Sequence, residues 1–404
     1  MSKPIKNRLY GNERKYVEEV LATEFSASQG SIMTQRLEAE FADKFGGTYA
    51  IAHINGTATM HALLEAKGIG PGDEVIVTPL TMSATTFAVL QANATPVFAD
   101  VDPDTFQISY ESIKSCITDK TKAIITVALF GLSPEMDPIM KLANQYDIFV
   151  IEDNAECFLG KYKGKMVGTL GHASSFSFQS TKHLTSGEGG MVLTDDLELA
   201  LRVRRVQSLG YAGVSATKGK ITKSDIQDPN YARHVSMGWN YRMPELCSAV
   251  ALAQMENIDS LVDARVKAAK IFNDVVTDCD WLVVQKTPEN CVNTFWTYVV
   301  KIDDPRITWH QFRDAFVENG GDGIYAAWML TYLEPMFQNM ALLGREHNIP
   351  ESNKSMYKKG LCPVAENLQP RLLCFKTNYW DISEALNQAD VLRKTIKQLG
   401  ESLI

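Results

Sequence analysis

The stretch Ser174-Ser175-Phe176-Ser177-Phe178-Gln179-Ser180-Thr181-Lys182-His183-Leu184-Thr185-Ser186-Gly187-Glu188-Gly189-Gly190 decides how the rest of the chain is read. Small hydroxyl residues alternate with phenylalanines, one lysine follows, and the run breaks on glycines. Such alternation predicts a strand end with hydroxyls on one face and rings packed on the other. The glycines let the backbone leave sharply after it. In that setting Lys182 is either a carbonyl-reactive amine beside an anion site or an ordinary surface lysine, and the neighbouring segments must decide.

Working outward, apolar strands and helices alternate. Upstream, Tyr49 to Ile54 is a short strand running through Asn55-Gly56-Thr57-Ala58 into an apolar helix, which places backbone N–H groups and a hydroxyl at a helix N-terminus, a phosphate cradle. Further strands are read at Val75–Val77, Pro96–Val101, Thr121–Leu129, Ile148–Ile151 and Met191–Leu193, with helices over 12–23, 34–45, 85–90, 137–146 and 196–206. Consecutive apolar strands separated by helices imply an α/β fold, a mostly parallel seven-stranded sheet flanked by helices. Ligands of such sheets bind beyond the C-terminal strand ends, where Asn55, Asp153 and Ser177 all fall. Residues 211–235 are aperiodic and are read as a long exposed loop. Pro244 then opens a helix expected to run to about residue 268. A strand at Phe295–Val300 and helices near 308–318 and 383–399 suggest a smaller C-terminal α+β domain. The expected division is 1–255 for the large domain and 256–404 for the small one.

Composition narrows the function classes. With 404 residues, 45% hydrophobic and 22% charged, the chain has ample material for a core. A formal net charge of −8 argues against nucleic-acid or anionic-membrane partners. No apolar run is long enough to span a bilayer, and the polar start Met1–Arg8 has no signal-peptide pattern, so a cytoplasmic location is expected. The 7 cysteines lack any metal-ligand spacing, and no metal site is expected.

The sheet-end residues together point to one cofactor. Lys182, an acid at a strand terminus (Asp153) and hydroxyl- and glycine-bearing cradles (Asn55 to Ala58, and Ser177) match the needs of pyridoxal 5′-phosphate. That group needs an amine for a Schiff base, a carboxylate against its pyridine nitrogen, and donors for its phosphate.

These segments also resemble the DegT/DnrJ/EryC1/StrS family of PLP-dependent sugar aminotransferases, of the aspartate-aminotransferase-like fold type I. The resemblance runs from about residue 10 to the end. It is carried by Asn55-Gly56-Thr57-Ala58, Gly72-Asp73-Glu74-Val75-Ile76, Thr95 to Val101, Ile151 to Glu156, Ser175 to Phe178 with Lys182 and Gly187 to Gly190, Gly238 to Met243, and Cys362-Pro363-Val364-Ala365-Glu366. It implies that Lys182 forms the Schiff base and shuttles the proton, with Asp153 on the pyridine nitrogen and Glu156 near the cofactor hydroxyl. Gly56, Thr57, Ala58 and Ser177 would hold the phosphate. Asn240 would reach it from the neighbouring subunit, which makes the expected assembly a homodimer with a shared active site. Arg242, Tyr325, Trp328 and His183 are the candidate substrate contacts. The resemblance further implies an amino group moved from L-glutamate to a keto-sugar, with a nucleotide-linked one expected, in amino-sugar or surface-polysaccharide synthesis. A sugar phosphate, cyclitol or small phosphorylated ketone as acceptor, or a catalytically silent regulator, are the alternatives.

Two departures from the family pattern stand out. Met82 falls where relatives usually place an aromatic on the cofactor ring, so either its thioether or another residue such as Phe87 covers that ring. Gly320 to Trp328 replaces a segment that often carries histidine and proline and shapes the sugar-binding mouth. One sub-branch puts histidine in place of the lysine and dehydrates sugars; here Lys182 is present and His183 only follows it, which favours transamination.

Overall fold

A computed structural model describes residues 7–25, 32–216, 224, 227–401 and 403. Its organising element is a seven-stranded sheet. In chain order the strands are β1 (Tyr49–His53), β2 (Glu74–Val77), β3 (Thr95–Phe98), β4 (Thr121–Val127), β5 (Phe149–Asp153), β8 (Ala173–Ser177) and β9 (Gly190–Thr194). Two short strands, β6 (Lys161–Tyr162) and β7 (Lys165–Met166), form a side hairpin between β5 and β8. The order across the main sheet is β1-β9-β8-β5-β4-β2-β3. Only β9 runs against the rest, pairing antiparallel with both β1 and β8. Six strands therefore point their C-terminal ends to one rim, and the start of β9 meets that rim, with Gly190 opposite both His53 and Ser177.

The period of two explains how both faces are covered. Val75 and Val77 of β2, Ile125 of β4 and Ile151 of β5 pack with the helices Gly56–Ala66, Ala84–Gln91 and Leu197–Gln207. Their neighbours Ile76, Ile124 and Val150 pack on the other face against Ile113, Ile139, Leu142 and Ala143, from the helices Tyr110–Cys116 and Met136–Tyr146. A third cluster joins Phe176, Met191 and Leu193 to Leu37, Phe41 and Phe45 of the helix Ile32–Phe45 and to the helix Glu245–Met255. The Phe41–Phe176 and Phe45–Phe176 ring centroids are 4.9 Å apart. That third cluster is the ring face of the opening stretch. Its hydroxyl face is less uniform than the alternation predicts: Ser175 meets the hydroxyl of Thr59 at 2.5 Å, but Ser174 lies on the ring face and donates to the Gly168 carbonyl at 2.8 Å.

The helix expected from Pro244 to about 268 is two helices, Glu245–Met255 and Ile258–Val276. At the break, Asn257 turns its side-chain amide back onto the Ala253 carbonyl at 3.0 Å. Glu256 is tied to the N-terminal helix through the hydroxyl of Tyr16 at 2.5 Å and the amide of Asn12 at 2.8 Å. Side-chain hydrogen bonds to nearby backbone compete with helix continuation, a signal that apolar periodicity does not contain. Along Ile258–Val276 the packing changes hands: Ile258 and Val262 belong to the large-sheet core, while Ala268 to Val276 pack in a separate C-terminal cluster.

That C-terminal cluster backs a second sheet, built from β10 (Leu282–Val284), β12 (Thr297–Ile302), β14 (Leu372–Lys376) and β13 (Tyr325–Ala326) in the order β10-β12-β14-β13. The helices Trp309–Glu318 and Ile382–Glu401 complete this α+β layer. A small strand β11 (Cys291–Val292) joins the β6–β7 hairpin. The segment from Ala327 to Leu368 returns to the large-sheet core. As a result, β13 and the two residues after it face the rim where the strand ends gather. Among the described residues, no helix is long and apolar enough to cross a membrane.

Candidate active site

A cavity of about 900 Å³ opens at that rim. Asn55, Gly56, Thr57, Thr81, Met82, Thr85, Phe130, Asp153, Glu156, Ser177 and Lys182 line it from the large sheet; Trp296, Tyr325, Trp328, Lys376 and Asn378 line it from the C-terminal side. The lysine of the opening stretch lies on its floor.

Lys182 sits on the loop between β8 and β9, closed at its base by Phe178 N–H donating to Gly189 C=O at 2.8 Å. Its own N–H donates to the Gln179 carbonyl at 3.0 Å. The residue is 9% exposed, and its Nζ lies 3.3 Å from Glu156 Oε1 and 4.3 Å from the centre of the Trp296 ring. Glu156 is fixed from its other oxygen, which accepts from the Phe130 backbone N–H at 3.0 Å. Burial pushes the Glu156 carboxyl above its usual range, and the Lys182 ammonium pulls it back. Phe130 holds φ 64°, ψ 7°, a left-handed conformation that a bulky side chain rarely adopts. In that conformation its N–H meets Glu156 and its ring stacks parallel to Trp328, with centroids 6.3 Å apart.

Asp153 ends β5 and is buried. Its Oδ2 accepts from the Thr85 hydroxyl at 2.8 Å and its Oδ1 from the Ala155 N–H at 3.2 Å. Burial pushes this carboxyl up as well; the Thr85 hydrogen bond, the Ala155 N–H and the Lys182 charge oppose it only in part. A carboxylate desolvated in this way is one that a cationic ring nitrogen would stabilise.

The anion cradle is the N-terminus of Gly56–Ala66. Asn55 caps that helix by accepting the Ala58 N–H on its side chain at 2.8 Å. The cap consumes the Ala58 donor, and Ala58 does not line the cavity. The remaining donors of the first turn, on Gly56 and Thr57, have no intrahelical acceptor and face the rim with Ser177. Packing here is tight: a Cβ on Gly56 would press on the Ser177 Cβ at 3.0 Å, and one on Gly190 would clash with the Asn55 carbonyl carbon at 2.6 Å.

The cavity tests the other site residues expected from sequence. Met82 lines it and is half exposed, whereas Phe87 packs against the apolar core, so of those two the thioether is the one in place to cover a ring. Tyr325 and Trp328 line the C-terminal wall. His183 is not with them. Its Nε2 lies 2.9 Å from the Thr294 carbonyl and its ring lies against Phe158, and burial holds its pKa well below the usual value. That makes His183 a packing residue.

Asn240 and Arg242 also lie outside the cavity of their own chain. Their segment is clipped between the end of β1 and the helix Leu197–Gln207: Ile54 N–H donates to the Tyr241 carbonyl at 2.8 Å and Tyr241 N–H to the Gln207 carbonyl at 2.9 Å. This leaves Asn240 exposed. Residues 217–223 and 225–226 of the expected 211–235 loop lie outside the described residues. Sequence reading passed over Thr85, Arg265 and Trp296. Their signal is positional, since each becomes part of the site only when strands distant in sequence are brought together.

Comparison with known proteins agrees with this geometry. The chain matches the DegT/DnrJ/EryC1/StrS aminotransferase family over residues 7–375. It is 38% identical over 288 residues to a GDP-perosamine synthase of Escherichia coli O157:H7, covering 71% of this chain and 74% of that one. It is 38% identical over 301 residues to a GDP-perosamine synthase of Caulobacter vibrioides, covering 74% and 76%. Among solved structures, an aminotransferase from Psychrobacter cryohalolentis superimposes with a TM-score of 0.86 at 28% identity, over 98% of this chain and 99% of that one. The chain belongs to the DegT/DnrJ/EryC1/StrS family and is a PLP-dependent aminotransferase of fold type I.

Proposed function

We propose that this aminotransferase binds pyridoxal 5′-phosphate through Lys182 and moves an amino group from L-glutamate to a keto-sugar carried on a nucleoside diphosphate. The observation that carries the reading is one buried amine, Lys182, sharing a cavity with two buried carboxylates and a helix N-terminus. The kinship with two GDP-perosamine synthases supports a nucleotide-linked sugar over a small phosphorylated ketone. When bound, the cofactor supplies an aldehyde that condenses with amines and a protonated ring that accepts electron density.

The residues divide the remaining work. Lys182 Nζ binds the cofactor and, when free of it, takes and returns the proton at the substrate carbon. Asp153 holds positive charge at the ring nitrogen, and Thr85 orients that carboxylate. Gly56 and Thr57 N–H groups and the Ser177 hydroxyl hold phosphate. Glu156 anchors the free ammonium of Lys182 from the side and would be the residue that meets the cofactor hydroxyl. Phe130, Trp296 and Trp328, from separate segments, stack into a wall that excludes water. Asn240, exposed beside the end of β1, supplies a phosphate contact to the neighbouring subunit of a homodimer. Arg242 beside it is a candidate contact to the partner's substrate.

The test is direct. Borohydride reduction of the purified protein should leave a cofactor adduct on the peptide bearing Lys182, seen by mass spectrometry. The wild type should convert L-glutamate to its keto acid beyond one equivalent per active site only when a nucleotide keto-sugar is supplied. Lys182→Ala should abolish the adduct and lower turnover by at least about 10³-fold. An adduct on another lysine, or equal turnover with a simple phosphorylated ketone, would overturn the reading.

A further inference from the structure

Arg265 lies on the helix Ile258–Val276, is 2% exposed, and meets only neutral oxygens. One terminal nitrogen, Nη1, donates to the Trp296 carbonyl at 2.8 Å and the Thr377 hydroxyl at 3.2 Å. The other, Nη2, donates to the Thr181 carbonyl at 2.6 Å and the Lys182 carbonyl at 3.2 Å. Burial lowers its pKa to about 9, with Arg8 adding repulsion. Arg8 reaches the same peptide from the N-terminal segment, donating to the carbonyls of Ser180, Lys182 and His183. The indole Nε1 of Trp296 donates to the Thr181 carbonyl at 3.0 Å, while its ring lies over the Lys182 ammonium.

A buried cation without a counter-charge costs several kcal/mol, on the order of the stability of a small domain. The Arg265 Nε has no partner among the described residues, so the four bonds of the two terminal nitrogens must offset that cost. The forked guanidinium can bridge two pairs of oxygens at once, which a lysine ammonium cannot do with the same geometry. One pair here belongs to the C-terminal sheet, through Trp296 and Thr377. The other belongs to the peptide of the reactive lysine. The Lys182 N–H is held locally by the Gln179 carbonyl, whereas its carbonyl is gripped from outside the loop by Arg265 and Arg8.

We propose that Arg265 is a positioning residue for the reaction. It locks the Thr181–Lys182 backbone to the C-terminal sheet, so that the amine keeps one direction in the cavity whether it is bonded to a ligand or free. Trp296 is its accessory through the Thr181 carbonyl. This inference rests on the reading of Lys182 as the reactive amine.

The variants are Arg265→Gln, Arg265→Lys and Trp296→Phe, the last removing a single donor to Thr181 while keeping a ring. In cofactor-free protein, reductive methylation with formaldehyde should show the rate at Lys182 changed about 5- to 10-fold by Arg265→Gln, with exposed Lys15 as the internal control. Trp296→Phe should change it about 2-fold in the same direction. In the loaded enzyme, kcat should fall about 10- to 100-fold in Arg265→Gln with KM for the keto-sugar little altered, and Arg265→Lys should recover only part of it. Should Arg265→Gln fail to fold, Trp296→Phe carries the test. Unchanged Lys182 labelling in every folded variant would overturn the proposal, as would a loss confined to thermal stability. Failure of the wild type to trap cofactor on Lys182 would instead overturn the underlying reading of the lysine, a distinguishable result.

Discussion

The floor and the mouth of the cavity are built by opposite rules. On the floor, Asp153, Glu156, Ser177 and Lys182 are each 9% exposed or less, and each is tied by backbone or hydroxyl hydrogen bonds at a strand end or in a closed loop. At the mouth, Met82 is 49% and Tyr325 64% exposed, and their segments are short or irregular. Electrostatic work needs fixed groups in a low dielectric, where a charge is worth far more than in water. Recognition of a large polar substrate needs a surface that water and ligand can both reach. The same cavity therefore has a rigid half concerned with the reaction and an open half concerned with the substrate.

After Lys182 itself, the contrast predicts its largest effect at Asp153. Asp153→Asn should lower turnover by about 10²- to 10³-fold with every sugar tested, because it removes a preorganised charge. Its effect on the cofactor-free protein should have the opposite sense. The Asp153 carboxyl is held above its ordinary value of 3.8 by burial, so the folded state binds more protons than the unfolded one just above that pH. Stability contributed by this group is thus lost as pH rises through its folded-state pKa. Thermal melts of cofactor-free protein should show Asp153→Asn more stable than wild type near neutral pH, with the gain shrinking in acid. A variant destabilised at neutral pH would mean that the buried charge has a partner other than the cofactor.

Gly56→Ala is the next step down. The added Cβ would meet the Ser177 Cβ at 3.0 Å at the helix start proposed to hold the phosphate. Cofactor affinity should weaken about 10-fold, with turnover at saturating cofactor reduced far less. A spectroscopic titration separates the two. Turnover lost at unchanged affinity would place the phosphate elsewhere.

How legible each half was in the sequence follows the same division. The strands of the large sheet were legible because they are buried on both faces, so their apolar runs carry the signal. Asp153 and Ser177 were legible because strand ends in such a sheet are where ligands go. Lys182 needed its company: alone it is one lysine among many. The Ala58 donor could not be called from the string, because whether the Asn55 side chain or a ligand takes it depends on a rotamer. The break at Asn257 was hidden behind continuous apolar periodicity, since its cause is a set of three side-chain hydrogen bonds. Arg265 and Trp296 were invisible as site residues. Their role arises where a helix and a strand far from residue 182 in sequence close over it, and nothing local records that meeting.

The mouth should give the smallest and most selective effects, and Met82 is the sharpest place to look. Its thioether lines the cavity on the rim after β2, where relatives usually place an aromatic on the cofactor ring. A flexible side chain half open to solvent covers a ring less rigidly than a planar one does. Met82→Phe should therefore tighten cofactor binding only about 2- to 5-fold, the scale of one added aromatic contact. Tyr325→Ala, on the opposite wall, should leave cofactor affinity alone and raise KM for the sugar by about 10-fold. If Met82→Phe instead changes sugar preference while cofactor affinity stays fixed, Met82 belongs to the substrate half. The boundary between the two halves would then run between Met82 and Thr85, at the start of the helix Ala84–Gln91. That result would explain why the position departs from the family pattern: its residue would follow the sugar, while Thr85 one turn on still serves the carboxylate of Asp153.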